Sequence, residues 1–244
     1  MADSKKYELY VEGRNDQCTI ASIGYQKGLK PNKDKYELKF GDNIVAIKYN
    51  QNNQSGSDDT AYKMLQDALT TPKQYGAIAI IVDADALKNK NAQDRLKRFI
   101  EIVNKVNESE IIYDTTISLK SEGIILEPNS KYADIFPRVG LWIMPDNQNA
   151  GAIEHFLWKS GVNPDYINTY NAVEKVVNEY EQDQSDPPII HYISNHHNKA
   201  LVHTFLAWVE DPGNPMGQSV DKKCWNINSA IVNDFMNWLS KVYC

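Results

Sequence analysis

AIAIIVDAD, residues 77–85, is the stretch on which the fold turns. Its apolar run shows no alternation, the pattern of a strand buried on both faces, as at the centre of a parallel sheet. The run is far shorter than the roughly 20 residues that a membrane-spanning helix needs. It stops in two acids one residue apart. Residues i and i+2 of a strand face the same side, so Asp83 and Asp85 are expected to point together beyond the carboxyl end.

Strand and helix signals alternate on both sides of this run. Upstream, KYELYVEG (6–13) reads as a strand over 7–11 ended by Gly13, followed by a helix near 15–26 capped by Asn15 or Asp16. Residues 35–49 read as two short strands around Gly41, Asp42 and Asn43. NQNNQSGSDD (50–59) reads as a polar loop, with Asp58 or Asp59 capping a helix near 60–70. Downstream, 91–106 places Leu96, Phe99, Ile100 and Val103 on one face of an amphipathic helix. Residues 110–127 read as two strands around the polar tetrad 120–123. VGLWIMPDN (139–147) reads as a second buried strand with a Pro-Asp-Asn exit, and Asn149 as the cap of a short helix through 158. Helical patterns then dominate, at 171–182, 198–209 and 229–242, with DPGNPMGQS (211–219) as a loop.

The fold class implied is α/β: an open, mainly parallel sheet flanked by helices, with a helical C-terminal extension. Residues 1–160 are expected to form the α/β core and 161–244 the extension, packed on it as one unit.

Composition narrows the function classes. Apolar residues make up 42% of the chain, with 14 Tyr and 5 Trp, enough for a sizeable core and unlike a disordered segment. Cys18, Cys224 and Cys244 are odd in number, far apart and without zinc spacing, which argues for a reducing compartment. The N-terminus is charged and lacks an apolar signal segment. The expected location is therefore cytoplasmic, with no membrane partner. A net charge of −6 gives no global attraction to nucleic acid, and leaves room for a local basic patch.

Three strands end in acid: Glu12, the Asp83/Asp85 pair, and Asp146. In open α/β sheets ligands bind beyond the carboxyl ends of the strands, so these acids would share one crevice if their strands are parallel neighbours. Clustered carboxylates repel, and some are pushed to protonate. A divalent cation removes that penalty, and oxygen donors select Mg²⁺, Mn²⁺ or Ca²⁺ over zinc. The glycine-containing loops match neither a P-loop nor a dinucleotide fingerprint.

VEGRND (11–16) and IIVDAD (80–85) resemble the two signature motifs of the Toprim domain, the fold shared by bacterial primases, type IA and type II topoisomerases, overcoming-lysogenization-defect nucleases and 5S ribosomal RNA maturases. The strands near 36–48 are an addition to the most compact members. WIMPDNQNAGAIEHF (142–156), LAWVEDPGNPMGQS (206–219) and the terminal NWL (237–239) resemble an uncharacterised bacterial Toprim-related family akin to those nucleases. The resemblance implies a Toprim-like sheet and Mg²⁺- or Mn²⁺-dependent phosphodiester chemistry on DNA or RNA. It implies metal ligation by Glu12, Asp83 and Asp85, joined by Asp16, with Asp146 and Glu154 at a second ion. A topoisomerase would need a nucleophilic Tyr from a further domain, which this chain does not obviously supply.

Each candidate also has an ordinary structural role. Asp16, Asp83 or Asp85 can cap a helix, Asp146 can serve a turn after Pro145, and Glu154 can sit exposed on a helix. Lys199, beside His196 and His197, can neutralise phosphate charge or simply solvate a helix start. The basic stretch of Lys88, Lys90, Arg95, Lys97 and Arg98 is either a solvated face or a phosphate contact. The five Trp residues read as core. Two further functions remain open: a non-catalytic module binding nucleotide, nucleic acid, a protein partner or a second copy, and a small-molecule phosphoesterase.

Overall fold

The computed structural model describes residues 5–29, 36–50, 60–85, 91–107, 110–182, 196–209 and 215–244. The loop expected at 50–59, its Asp58 or Asp59 cap, and Lys88 and Lys90 as phosphate contacts lie wholly or mainly outside these residues.

The chain is an α/β protein built on a six-stranded mixed sheet. In chain order the strands are β1 (Lys6–Tyr10), β2 (Glu37–Phe40), β3 (Asn43–Lys48), β4 (Tyr75–Asp83), β5 (Ile124–Leu126) and β6 (Arg138–Met144). Their spatial order is β2-β3-β1-β4-β6-β5. The inner pairs β3/β1, β1/β4 and β4/β6 are parallel, and the edge pairs β2/β3 and β5/β6 are antiparallel. The unbroken Ile/Ala/Val run thus occupies an interior strand, β4.

Alternate residues of β4 enter two separate cores. Ala77, Ala79 and Ile81 face one cluster, and Ile78, Ile80 and Val82 the other. The second face is covered by α2 (Thr60–Leu69) and α3 (Ala92–Val106). The first is covered by α1 (Arg14–Gln26), α4 (Ile153–Ser160) and α8 (Ala230–Tyr243), with α5 (Ile167–Glu181), α6 (His197–Trp208) and α7 (Met216–Asp221) packed around them. The segment expected as a C-terminal extension therefore supplies much of one helix layer. Phe235, Trp238, Leu239, Val242 and Tyr243 of α8 are each at most 1% exposed. At roughly 1.5–3 kcal/mol per buried large apolar side chain, α8 is part of what holds the sheet.

Several local expectations change. The helix expected near 15–26 begins at Arg14 with Gly13 as N-cap, and Asp16 lies at its third position. Of the two strands expected in 110–127, only β5 forms. Asn107 explains the loss, because its side-chain oxygen takes the N–H groups of Ile112 and Tyr113 and leaves them unavailable to a ladder. Asn149 does not cap α4, whose N-cap is Ala152. The loop expected at 211–219 contains the start of α7. Four Trp residues are core, but Trp208 is 49% exposed at the end of α6.

The approach of α8 to the sheet depends on Gly140. A Cβ there would run into Val242 and Trp238 of α8 and Ala79 of β4. Gly140→Val is expected to destabilise the fold by about 1–3 kcal/mol through overpacking, read as a lower urea midpoint. An unchanged midpoint would mean that α8 does not press on the sheet.

Candidate functional site

Parallel pairing of β1 with β4 brings the two acidic strand ends side by side. Tyr10 is in register with Ile80, so Glu12 leaves the sheet next to the end of β4. The Asp83 backbone N–H donates to the Glu12 carboxylate at 3.3 Å. Gly13 then starts α1, and Asp16 accepts the Gly13 N–H at 2.8 Å, a contact that closes the first turn of the helix.

Glu154 arrives from the other side. Ala84 forms a bridge with Gly151, which pins the start of α4 against the end of β4. Gly151 has φ +152, and a Cβ there would strike the His155 ring, so only glycine suits this crossing. His155 Nδ1 accepts the Ala152 N–H at 3.1 Å. Burial, with the Lys159 and Lys199 cations, lowers its pKa to about 4, so the ring serves as a neutral cap.

These elements enclose a cleft of about 400 Å³. Glu12, Asp16, Asp83, Glu154 and Lys199 line it, together with Arg14, Asn15, Ile153 and Met216. Glu154 is 8% exposed, Glu12, Asp16, Asp83 and Lys199 are half-buried, and Arg14 is exposed. Asp85 stands just beyond, close enough to add to the repulsion felt by Asp83. Met216 is delivered by α7, which lies so close to α1 that a Cβ on Gly217 would meet the Cys18 backbone.

Electrostatics mark the cluster as unbalanced. Burial, then the charges of Glu12, Asp16, Glu154 and Asp85, hold the Asp83 carboxyl well above the usual range. Asp16 is pushed up to about 7 by burial and by Glu154, against the Gly13 hydrogen bond and the Lys199 ammonium. Among the described residues no three His, Cys, Asp or Glu side chains stand together as a ready-made metal-ligand set. The donor chemistry nevertheless suits a hard cation: the acids are all oxygen donors, mutually repelling, and Mg²⁺ typically takes only one or two carboxylates with water completing its shell.

Asp146 is not brought into this cleft. Its carboxylate accepts the backbone N–H groups of Gln148 and Asn149 and pairs with Lys159 at 2.9 Å. Burial alone would raise its pKa, but the Lys159 and Asn149 contacts outweigh that and hold it below the usual range. Asn147, with φ 64, ties the same turn to Ile143 and Ser121.

Sequence reasoning also placed Arg95 on a basic face, whereas it is 3% exposed. Its Nε–H donates to the Asp83 carbonyl at 2.7 Å, and the Tyr62 hydroxyl donates to the Arg95 carbonyl at 2.8 Å. Arg95 thus braces the end of β4 from beneath. Arg14, Ile153 and Met216 were also missed as lining residues. Arg14 was within reach, since it sits inside VEGRND; the other two come from elements that only tertiary packing brings near.

Fold and site together define a layered α/β protein with a carboxylate-lined cleft at the carboxyl ends of its parallel strands. The chain belongs to the family described as Protein of unknown function (DUF3226), whose model matches residues 6–244. No curated protein and no solved structure matches it. No helix among the described residues is long and apolar enough to cross a membrane.

The raised Asp16 pKa has a consequence for stability. An unfolded Asp16 loses its proton near 3.8 and the folded one near 7. Between those values the unfolded state binds fewer protons, so stability falls as pH rises through that window. In EDTA, Asp16→Asn should therefore melt higher than wild type at pH 8, with the difference shrinking towards pH 4. Parallel melting curves for the two proteins across this range would show that burial and Glu154 do not raise the Asp16 pKa in the folded chain.

Proposed function

We propose that the cleft binds Mg²⁺ or Mn²⁺ and hydrolyses phosphodiester bonds in nucleic acid, in the manner of Toprim nucleases. The observation that carries this is the meeting of Glu12, Asp16, Asp83 and Glu154, from distant parts of the chain, in one cleft with Lys199. Further support comes from the resemblance of VEGRND and IIVDAD to the Toprim signatures, and from their place on adjacent parallel strands. The finer fold proposed is accordingly Toprim-like.

Glu12, Asp83 and Asp85 would hold the ion, with Asp16 and Glu154 beside them. The ion would supply charge neutralisation at the phosphodiester and a fixed orientation for it. The chain's own groups have separate tasks. Lys199 offers a positive charge to the phosphate oxygens. Asp16, titrating near neutrality in the metal-free protein, suits proton transfer. Arg95 fixes the backbone that presents Asp83. Asp146, spent on its turn and on Lys159, is left out of the ligand set.

A second reading, a non-catalytic module binding nucleotide, nucleic acid or a protein partner, is favoured by the absence of a three-ligand set among the described residues.

Plasmid, single-stranded DNA and transfer RNA should be incubated with wild type and Asp83→Asn in Mg²⁺, Mn²⁺ or EDTA. Metal-dependent cleavage is expected, lost in EDTA and reduced at least a hundredfold in the variant, on the order of what removing one key electrostatic group costs. Metal binding with no cleavage of any substrate would favour the binding module. Turnover of a chromogenic phosphomonoester alone would assign a small-molecule phosphoesterase.

A further inference from the structure

The cations of the cleft are arranged differently from its acids. Lys199 lies close enough to Asp16 to lower its pKa. Arg14 lines the same cleft and is exposed. The Tyr49 side chain, within hydrogen-bonding reach, is its strongest electrostatic neighbour, with Tyr36 and Cys18 beside it. Among the described residues no carboxylate pairs with it. An exposed cation lining an acidic cleft, with no carboxylate partner among the described residues, is open to an incoming anion. Guanidinium suits phosphate in particular, because its fork matches the phosphate oxygens.

The tyrosines narrow the class of anion. Tyr36 immediately precedes β2 and Tyr49 follows β3, both half-buried. The Val11 N–H donates to the Lys48 carbonyl at 2.9 Å, which sets Tyr49 beside the segment that leads to Arg14. A cation with aromatic faces is the combination that binds single-stranded nucleic acid: the charge takes the backbone and the rings stack against bases. In a duplex those base faces are already stacked on one another.

We infer that Arg14 is a phosphate-binding subsite and Tyr49 a stacking platform for a single-stranded nucleic acid entering the cleft. This rests on the nucleic-acid reading of the cleft, and it names the strand form that reading leaves open. The strand runs over Arg14 towards the acids, so one backbone phosphate lies on Arg14 while another reaches Lys199.

Fluorescence anisotropy with a fluorescein-labelled eight-nucleotide oligothymidylate, alone and annealed to its complement, tests this in EDTA and in Mg²⁺ over a range of salt. Arg14 is exposed, so Arg14→Ala should keep the wild-type melting temperature. It should bind the single strand roughly tenfold more weakly and lower the slope of log affinity against log salt by about 0.7, the share of one single-strand phosphate contact. Arg14→Lys should restore the slope. Tyr49→Ala should lose roughly tenfold in affinity with no change of slope, and Tyr49→Phe should bind as wild type. Equal binding by Arg14→Ala and wild type, a duplex bound as tightly as the single strand, or no binding at all would overturn the inference. Cleavage is scored separately. Arg14-dependent binding without cleavage sinks hydrolysis alone, and cleavage with Arg14→Ala binding unchanged sinks the Arg14 assignment alone.

Discussion

Parallel pairing of β1 with β4 is the constraint on which the rest of the molecule depends. It makes two strands end at the same height with Glu12 against the Asp83 backbone. A one-residue slip in that register would turn each side chain of β1 to the opposite face of the sheet. The register is held because alternate residues of β4 are committed to two different cores. The hydrophobic effect that places Ile80 and Ile81 on opposite faces therefore also sets where Asp83 emerges.

The cost of this arrangement is charge. Several acids share one end of the sheet, and burial with mutual repulsion holds Asp83 and Asp16 above their ordinary range. The scaffold around them is braced accordingly. Arg95 grips the Asp83 carbonyl from below, the Ala84–Gly151 bridge fixes α4, and Asp16 closes the first turn of α1. Perturbed acids gathered at one cleft are the feature that sets this end of the sheet apart from the other.

The C-terminal helices are not an accessory. α8 closes one face of the sheet, α6 carries Lys199 to the cleft, and α7 carries Met216. An acidic strand-end pair with no C-terminal helices would lack both a cover for the sheet and the lysine that lowers the Asp16 pKa. Sheet stability and cleft composition are thus coupled through the same segment.

Much of the fold was legible because local patterns carry it. The unbroken run of β4, the alternation of β1 and the 3.6-residue spacing in α3 and α8 each name their element without outside help. Glu12 and Asp83 were legible as strand-end acids for the same reason, since a strand end is a local feature, whereas Asp85 falls two residues past the end of β4 and does not line the cleft. Asp146 shows the limit, since a strand-end acid goes where its turn sends it, and this turn hands it to Lys159. Glu154, Lys199 and Asp16 were legible as candidates, but their meeting in one cleft was not, because α4 and α6 reach it only by packing. Arg95 looked like a solvated cation, and the tertiary structure buried it beneath β4. The sequence by itself determined strands β1, β4 and β6 and the acids that come after them, because those follow from short-range periodicity and turn chemistry. Only the tertiary structure decided which charges face one another, because that depends on contacts between residues far apart in the chain.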